Sequence, residues 1–295
     1  MTLWKKYLQP STVEDVLTAL GVEPERSAII AGGTDLLLDL QQGRHSPVDT
    51  LVDVTQIPEM TAIQKQDGFL HIGAAVPLHE IVLDVSIHNH AQGIAEACEL
   101  IGGPQVRNVA TLGGNVGHAL PAGDGTIALI SMRAEAQLAS SEGRRWLPVE
   151  MLFEGPGQPS FDRAREIIVA FRFPLRGERE GSAFKRVMRP QGVAIAILNM
   201  GIWLRCGSGD KVEDIQIAVG PAGPRPLRAL KTEAVLRGQS FEPANNQSAI
   251  QQLLQEVKLR TSAHRSTKAY REHILPTLFT RTLAEAWGRA ASEQE

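Results

Sequence analysis

The chain has 295 residues, 43% of them hydrophobic and 21% charged, and a formal net charge of −3 at pH 7. This length and composition allow a sizeable buried core and predict two or three domains. The slightly acidic balance and the lack of a long basic run argue against a nucleic-acid-binding protein. No apolar segment is long enough to span a bilayer, and the N-terminus does not resemble a signal peptide, so we expect a cytoplasmic protein without a membrane span.

Cysteine and histidine usage limits the metal chemistry of the chain. Cys98 and Cys206 are its two cysteines. They are too few for a disulfide framework, a four-cysteine zinc site or a cysteine-ligated iron–sulfur cluster within this chain. The histidines form no HExxH motif, and we expect no metal site.

Residues 1–56 predict a small βαβ-like domain. In chain order the pattern predicts a helix that ends at Gly21, a strand at 27–30, a Leu-rich helix that ends at Gly43 and a strand at 50–54. The first helix would be capped by Ser11 or Thr12.

The first glycine loop, residues 29–36, carries Gly32-Gly33 followed by Thr34 and Asp35. Glycines adopt backbone angles closed to other residues and expose consecutive N–H groups, and a helix start adds a partial positive charge. This arrangement suits an anion such as a pyrophosphate. The alternative is a plain strand–helix turn in which the glycines permit close packing and Thr34 or Asp35 caps the helix. The loop alone leaves both interpretations open.

Residues 57–176 predict a second domain. Its predicted elements are a strand at 69–73, helices at 78–83 and 91–101, a glycine-rich irregular run at 102–115, a short helix that ends at Met132, and strands at 136–139 and 166–173.

The second glycine loop, residues 102–115, carries Thr111, Gly113-Gly114 and Asn115. A phosphate-bridged cofactor is best held by backbone donors from more than one loop, because little room remains for side chains beside a diphosphate. The two loops together therefore favour a dinucleotide site. Neither matches G-x-G-x-x-G or a P-loop, which argues against a nicotinamide Rossmann site and a P-loop nucleotide site.

Residues 177–295 predict a separate α+β domain, which begins within a charged linker at 176–181. Strands are predicted at 183–187, 194–204 and 212–219, and helices at 229–236, 248–258 and 268–287.

Motifs of one family occur in order through nearly the whole chain. The segments are Ala31–Leu36 (AGGTDL), Gln105–Asn115 (QVRNVATLGGN), Ala119–Asp124, Glu166–Ile168 before Phe173-Pro174, Phe184-Lys185 before Arg189, Val219–Arg228 and Tyr270–Leu275. With these segments the sequence resembles the FAD-binding medium subunit of the molybdenum hydroxylases, the xanthine dehydrogenase and carbon monoxide dehydrogenase flavoprotein family. The resemblance implies an α+β fold: a two-part FAD-binding domain of the vanillyl-alcohol-oxidase (PCMH) type, followed by the C-terminal α+β domain of carbon monoxide dehydrogenase flavoproteins.

The resemblance also implies which residues bind FAD. The first glycine loop would wrap the pyrophosphate, and Thr111 and Asn115 would approach it from the other side. Asp124 would lie near ribityl or ribose hydroxyls, the Ile168 backbone would lie beside the flavin or adenine, and Lys185 would place positive charge near the ring. The implied cofactor-binding residues are Ile29, Ile30, Ala31, Gly32, Gly33, Thr34, Asp35, Leu36, Ile101, Thr111, Gly114, Asn115, His118, Asp124, Ile168 and Lys185.

Several of these residues have simpler alternatives. Asp124 would equally serve as a turn or helix cap, and Lys185 as a strand lysine that faces solvent. Ile101 stands where some relatives carry an aromatic residue, which removes stacking on the flavin by that side chain. His118 stands where a smaller polar residue is common, so a structural histidine competes with a cofactor donor.

The function implied by the resemblance is electron transfer through non-covalently bound FAD, with no catalytic residue from this chain. Electrons would leave the substrate at molybdopterin in a large partner subunit, pass two [2Fe–2S] clusters in a small subunit, and reach NAD or another acceptor through FAD. The expected assembly is a dimer of heterotrimers. The GPQVRNVAT stretch favours the xanthine dehydrogenase branch and a purine or related N-heterocycle as substrate. The alternatives are a stand-alone flavin oxidase or reductase of the same fold and a flavin-free scaffold subunit.

Overall fold

The computed structural model of the chain describes residues 3–189, 195–263 and 265–292. The strands are β1 (Lys6–Leu8), β2 (Ser27–Ile30), β3 (Thr50–Asp53), β4 (Ile63–Gln66), β5 (Phe69–Gly73), β6 (Glu135–Ser140), β7 (Gly143–Pro148), β8 (Phe153–Gly155), β9 (Gln158–Pro159), β10 (Ile167–Pro174), β11 (Glu180–Val187), β12 (Leu198–Cys206), β13 (Val212–Gly220) and β14 (Leu227–Arg228). The helices are α1 (Val13–Val22), α2 (Leu36–Gln41), α3 (Leu78–Leu83), α4 (Val85–Leu100), α5 (Pro104–Arg107), α6 (Leu112–Gly117), α7 (Asp124–Ser131), α8 (Leu230–Leu236), α9 (Pro243–Glu256) and α10 (Lys268–Ala291).

The N-terminal unit is a parallel sheet with the strand order β1-β3-β2. The Thr12 hydroxyl caps α1 by accepting a hydrogen bond from the Asp15 amide at 3.1 Å. The apolar side of α1, formed by Val13, Val16 and Leu20, is buried. The two helices and two strands predicted for this unit are therefore confirmed as α1, α2, β2 and β3, and β1 is an additional edge strand.

The second unit is an antiparallel sheet with the strand order β4-β5-β10-β6-β7. Helix α4 begins at Val85, earlier than predicted, and is interrupted at Ala91, where φ is −152° and ψ is 53°. Because Ala91 is the predicted start of this helix, the sequence pattern identifies only the part after the interruption. The predicted irregularity of residues 102–115 is wrong in part, because these residues contain α5 and α6.

The C-terminal unit is an antiparallel sheet with the strand order β11-β12-β13-β14, packed against α8 and α10, and α9 packs against these two helices. Leu275, Phe279 and Leu283 recur at helical spacing on α10 and are buried in its core. The predicted strands and helices are confirmed within the described residues, and Ala194, the predicted first residue of one strand, lies outside them. None of the helices in the described ranges is both long and apolar enough to cross a membrane.

Strands β11 and β12 also pack against helices of the second unit. A Cβ at Gly93 of α4 would lie 3.1 Å from the Ala183 carbonyl carbon of β11. A Cβ at Gly201 of β12 would lie 2.6 Å from the Ser131 hydroxyl oxygen at the end of α7. Both glycines therefore let the two units approach closely, and a side chain at Gly201 would overlap Ser131.

Gly181 tests the packing of α10 on β11. A Cβ at this position would lie 2.2 Å from the Ala286 carbonyl oxygen and 2.7 Å from the Ala290 amide nitrogen. We expect Gly181→Ala to reduce the free energy of unfolding by about 1–3 kcal/mol through overpacking. Gly288→Ala on the same helix is the matched control, because its Cβ would meet nothing within 4 Å. The control should be neutral or up to about 1 kcal/mol more stable. Equal denaturant unfolding curves for the two variants would contradict this description of the contact.

Candidate functional site

The first glycine loop connects β2 to α2. Gly33 has a φ of +67°, which favours glycine because a Cβ there would strain the backbone and lie 3.0 Å from the side chains of Ile30 and Leu37. Asp35 is the N-cap of α2 but makes no side-chain cap hydrogen bond. The backbone N–H groups of residues 32–35 have no acceptor within the part of the chain that the structure describes. The loop therefore presents a row of free donors beside the start of a helix.

The two glycine loops touch each other through their backbones. A Cβ at Gly32 would lie 2.0 Å from the Val109 carbonyl oxygen and 2.8 Å from the Ala110 Cα. A side chain at position 32 would therefore separate the loops. This contact brings residues from two distant parts of the sequence into one place.

Thr111 organises the second glycine loop. It is buried, and its hydroxyl oxygen accepts a hydrogen bond from the Gly114 amide at 3.0 Å as the N-cap of α6. The Gly113 amide donates to the Ala74 carbonyl oxygen at 2.9 Å, directly after β5. The cap explains why a glycine-rich segment forms a helical turn here.

Asn115 connects the second glycine loop to α7. Its side-chain oxygen accepts a hydrogen bond from the Thr126 amide at 3.2 Å and lies 3.4 Å from the Thr126 hydroxyl oxygen. Gly123 and Gly125 have no room for a side chain, because a Cβ would lie within about 3 Å of this oxygen. Asn115 therefore fixes α7, and with it Asp124, relative to the loop.

Asp124 lies at the start of α7 and is only 6% exposed. One carboxylate oxygen accepts from Arg186 at 2.5 Å, and the other accepts from the side-chain amide nitrogen of Asn199 at 2.6 Å. Burial raises the pKa of Asp124, an effect that Arg186 and Asn199 oppose. These contacts join α7 to β11 and β12. The helix-cap role considered from the sequence is wrong, because Gly123 is the N-cap of α7 and makes no side-chain cap hydrogen bond. A role of Asp124 toward sugar hydroxyls stays a prediction.

Lys185 is the neighbour of Arg186 on β11 and forms an ion pair with Glu285 of α10. Arg289 pairs with both Glu285 and Glu96 of α4. Burial alone would raise the pKa of Glu285, but the hydrogen bond from Lys185 and the charges of Arg289 and Lys185 outweigh it and lower the pKa. Lys185 is therefore held in place rather than free in solvent. A cavity of about 220 Å³ lies beside it, between β11 and α10.

Ile168 and Ile101 both lie next to the second glycine loop. Ile168 precedes a bulge in β10, and the following residue, Val169, accepts from the Ala74 amide at 2.9 Å. Because Ala74 also accepts from the loop, the backbone near Ile168 is fixed against it. Ile101 is half-buried at the loop's start, where Arg107 donates to the Gly102 carbonyl oxygen at 2.9 Å.

His118 ends α6 and is half-buried. Its amide donates to the Gly114 carbonyl oxygen at 3.0 Å, whereas its imidazole has no hydrogen-bond partner among the described residues. The ring is therefore able to donate to a ligand, and its role stays a prediction.

The family of the chain follows from comparison with known proteins. Residues 3–176 match the model of the FAD-binding domain in molybdopterin dehydrogenase, which is more than half of the chain. The chain belongs to this family of FAD-binding medium subunits. Residues 182–286 match the carbon monoxide dehydrogenase flavoprotein C-terminal domain. It is an oxidoreductase subunit, and both the expected family and the expected fold are confirmed.

Relatives of this medium subunit match over nearly their whole lengths. It is 29% identical to the xanthine dehydrogenase FAD-binding subunit of Escherichia coli O157:H7, over 97% of each chain. It is also 29% identical to the nicotine 6-hydroxylase medium subunit of Paenarthrobacter nicotinovorans, over 96% of this chain and 98% of the relative. Among solved structures, carbon monoxide dehydrogenase from Hydrogenophaga pseudoflava matches with a TM-score of 0.91 and 27% identity, over 97% of this chain and 98% of that one.

The residues of this medium subunit fit an FAD diphosphate at the glycine loops. The N–H groups of residues 32–35 are donors without an acceptor among the described residues. The close approach at Gly32 leaves the backbone, rather than side chains, to form the binding surface. The sequence prediction did not include Arg186, Asn199 and Glu285, which fix Asp124 and Lys185.

Gly32 tests the contact between the glycine loops. We expect Gly32→Ala to reduce the FAD content of the purified chain at least about tenfold, because the new methyl group would overlap Val109. Gly43→Ala is the control: Gly43 also has a positive φ, +68°, but a Cβ there would meet nothing within 4 Å. This control should lose about 1–2 kcal/mol of stability through backbone strain and keep its FAD.

The measurement is FAD per chain after release by denaturation, with circular dichroism as a test of folding. Gly33→Ala should also lose FAD while the C-terminal unit stays folded. Full FAD content in both loop variants would mean that the first glycine loop is only a structural turn.

Proposed function

We propose that this FAD-binding subunit passes electrons from the [2Fe–2S] clusters of a partner subunit to NAD or another acceptor. The observation that carries the proposal is the backbone contact between the two glycine loops beside a row of free N–H donors. Bound FAD would supply the redox chemistry, since it exchanges electrons singly or in pairs. The chain would bind, orient and electrostatically tune it, and no side chain would act as a base or nucleophile.

The chain's own residues divide this work. The N–H groups of residues 32–35 would hold the negative diphosphate, aided by the start of α2. Lys185 would place positive charge near the ring, at a position that Glu285 fixes. Both Cys98 and Cys206 are buried, and burial raises the pKa of each thiol, which supports non-covalent binding.

The proposed partners are a large molybdopterin-binding subunit and a small subunit with two [2Fe–2S] clusters, in a dimer of heterotrimers. Support comes from relatives that are named as medium chains or subunits and that match over almost their full length. A purine or related N-heterocycle is the proposed substrate class of the complex, in line with the similarity to a xanthine dehydrogenase subunit. The cytoplasmic location expected from the sequence stays a prediction.

Native purification of the chain from its own cells tests the assembly. We expect the chain to co-purify with a subunit that contains molybdenum and with a subunit that contains two [2Fe–2S] clusters, which is four iron atoms. The complex should release FAD on denaturation. The measurement is cofactor analysis of the native complex together with its mass. Turnover by the single chain would favour a stand-alone flavin enzyme, whereas a colourless chain without released FAD would favour a flavin-free scaffold.

Lys185 and Glu285 give a paired test of electrostatic tuning. Positive charge beside a redox group raises its reduction potential, because the reduced state carries more negative charge. We therefore expect Lys185→Met to lower the FAD potential and Glu285→Gln to raise it, each by about 10–30 mV, since 30 mV is about 1.4 kcal/mol for two electrons. Lys231→Met, on the exposed surface of α8, should leave the potential unchanged. Shifts of the same sign in both variants, measured by spectroelectrochemical titration, would contradict this role.

A further inference from the structure

Arg271, in the first turns of α10, is a buried cation without a partner. Its side chain is 1% exposed, and its buried Nε atom has no hydrogen-bond acceptor. Among the residues that the structure describes, no ion pair or side-chain hydrogen bond reaches its guanidinium. Arginine keeps its proton in proteins, so this charge cannot be removed by titration. An uncompensated buried charge is strongly destabilising, so an anion bound beside this guanidinium would stabilise the fold.

The charged groups that act on Arg271 are also cationic. Burial lowers its pKa, and the positive charges of Arg265 and Arg260 lower it further. Arg260 has the same effect on the pKa of Arg265, which burial also lowers. We refer to Arg260, Arg265 and Arg271 as the arginine cluster. Arg189, two residues after the end of β11, lies beside the arginine cluster and donates to the Arg265 carbonyl oxygen at 3.4 Å.

The backbone near the cluster adds positive potential. α10 is a 24-residue helix, and its N-terminus lies between Arg265 and Arg271 in the sequence. Thr267 caps this helix by accepting from the Tyr270 amide at 3.2 Å. Thr261 accepts a further hydrogen bond from the Lys268 amide at 3.0 Å. The helix start and the buried guanidinium thus form one positively charged region in the C-terminal unit.

We propose that the arginine cluster binds a phosphate-type oxyanion, either free phosphate or the phosphate of a nucleotide. The planar guanidinium matches two oxygen atoms of such a group in a bidentate hydrogen bond. Three positive charges and a helix N-terminus match a dianion better than a single carboxylate. The site is distinct from the glycine loops, which lie in the other two units, and it does not depend on the proposed electron path.

The test is calorimetric titration of the full, flavin-loaded chain with inorganic phosphate, at constant ionic strength maintained with chloride. We expect saturable binding by the unmodified chain. Arg271→Met should weaken it at least about tenfold, which corresponds to about 1.4 kcal/mol. Without phosphate, this variant should unfold at the same or a higher temperature, because methionine removes the buried charge and keeps an unbranched apolar stem.

Two further variants separate local from general effects. Arg281→Met removes an exposed arginine about 15 Å further along α10, ten residues on (281 minus 271), and should leave phosphate binding unchanged. Arg265→Gln alters a half-buried member of the cluster and should weaken binding about three- to tenfold. It also provides the measurement if Arg271→Met fails to fold.

A second titration with ADP identifies the source of the phosphate. Binding that is tighter than for inorganic phosphate, and lost in Arg271→Met, assigns the site to a nucleotide. Equal or weaker binding than inorganic phosphate assigns it to the free ion. Indistinguishable phosphate titrations of the unmodified chain and the cluster variants would overturn the proposal. It would also be overturned if Arg271→Met changed only the association with a partner subunit, because a partner carboxylate would then be the counter-ion.

Discussion

The close approach of Gly32 to Val109 is the constraint on which the candidate FAD site depends. The two residues lie in different structural units, and a single methyl group at position 32 would overlap the Val109 carbonyl oxygen. The approach leaves the backbone N–H groups of residues 32–35 without protein acceptors in the described chain. Buried or half-buried donors of this kind are normally satisfied, so their position beside a helix start gives a physical reason for an anionic ligand there.

The same site is coupled to the C-terminal unit through α7. Asn115 fixes the start of α7, and Asp124 at that start pairs with Arg186 and Asn199 on the neighbouring strands. Removing one partner of a buried ion pair costs several kcal/mol, because the remaining charge is left without compensation. The position of Arg186, and of β11 around it, therefore depends on the packing of the second unit against the C-terminal unit.

The sequence was informative where one side of an element is buried. α1, β5 and α10 have apolar residues at helical or strand spacing, and their positions were predicted closely. β4 and β7 were not predicted, because they are edge strands whose exposed, polar residues lack the alternation of a half-buried strand. At the site, the glycine loops could be predicted from local spacing and family motifs. Arg186, Asn199 and Glu285 could not, since their roles arise from contacts between distant segments.

Two kinds of arginine occur in the C-terminal unit, and the difference between them is informative. Arg228 and Arg237 both pair with Glu233, a carboxylate that is fully buried, so their charges are compensated within the chain. Arg271 is more enclosed than either of them, with an exposure of 1%, yet the charges that act on it are Arg260 and Arg265. Burying an isolated guanidinium gives no advantage in stability alone, since an apolar side chain of similar volume would serve better. The compensating charge is therefore expected to come from outside the described chain, and the donor geometry of guanidinium makes an oxyanion the matching ligand.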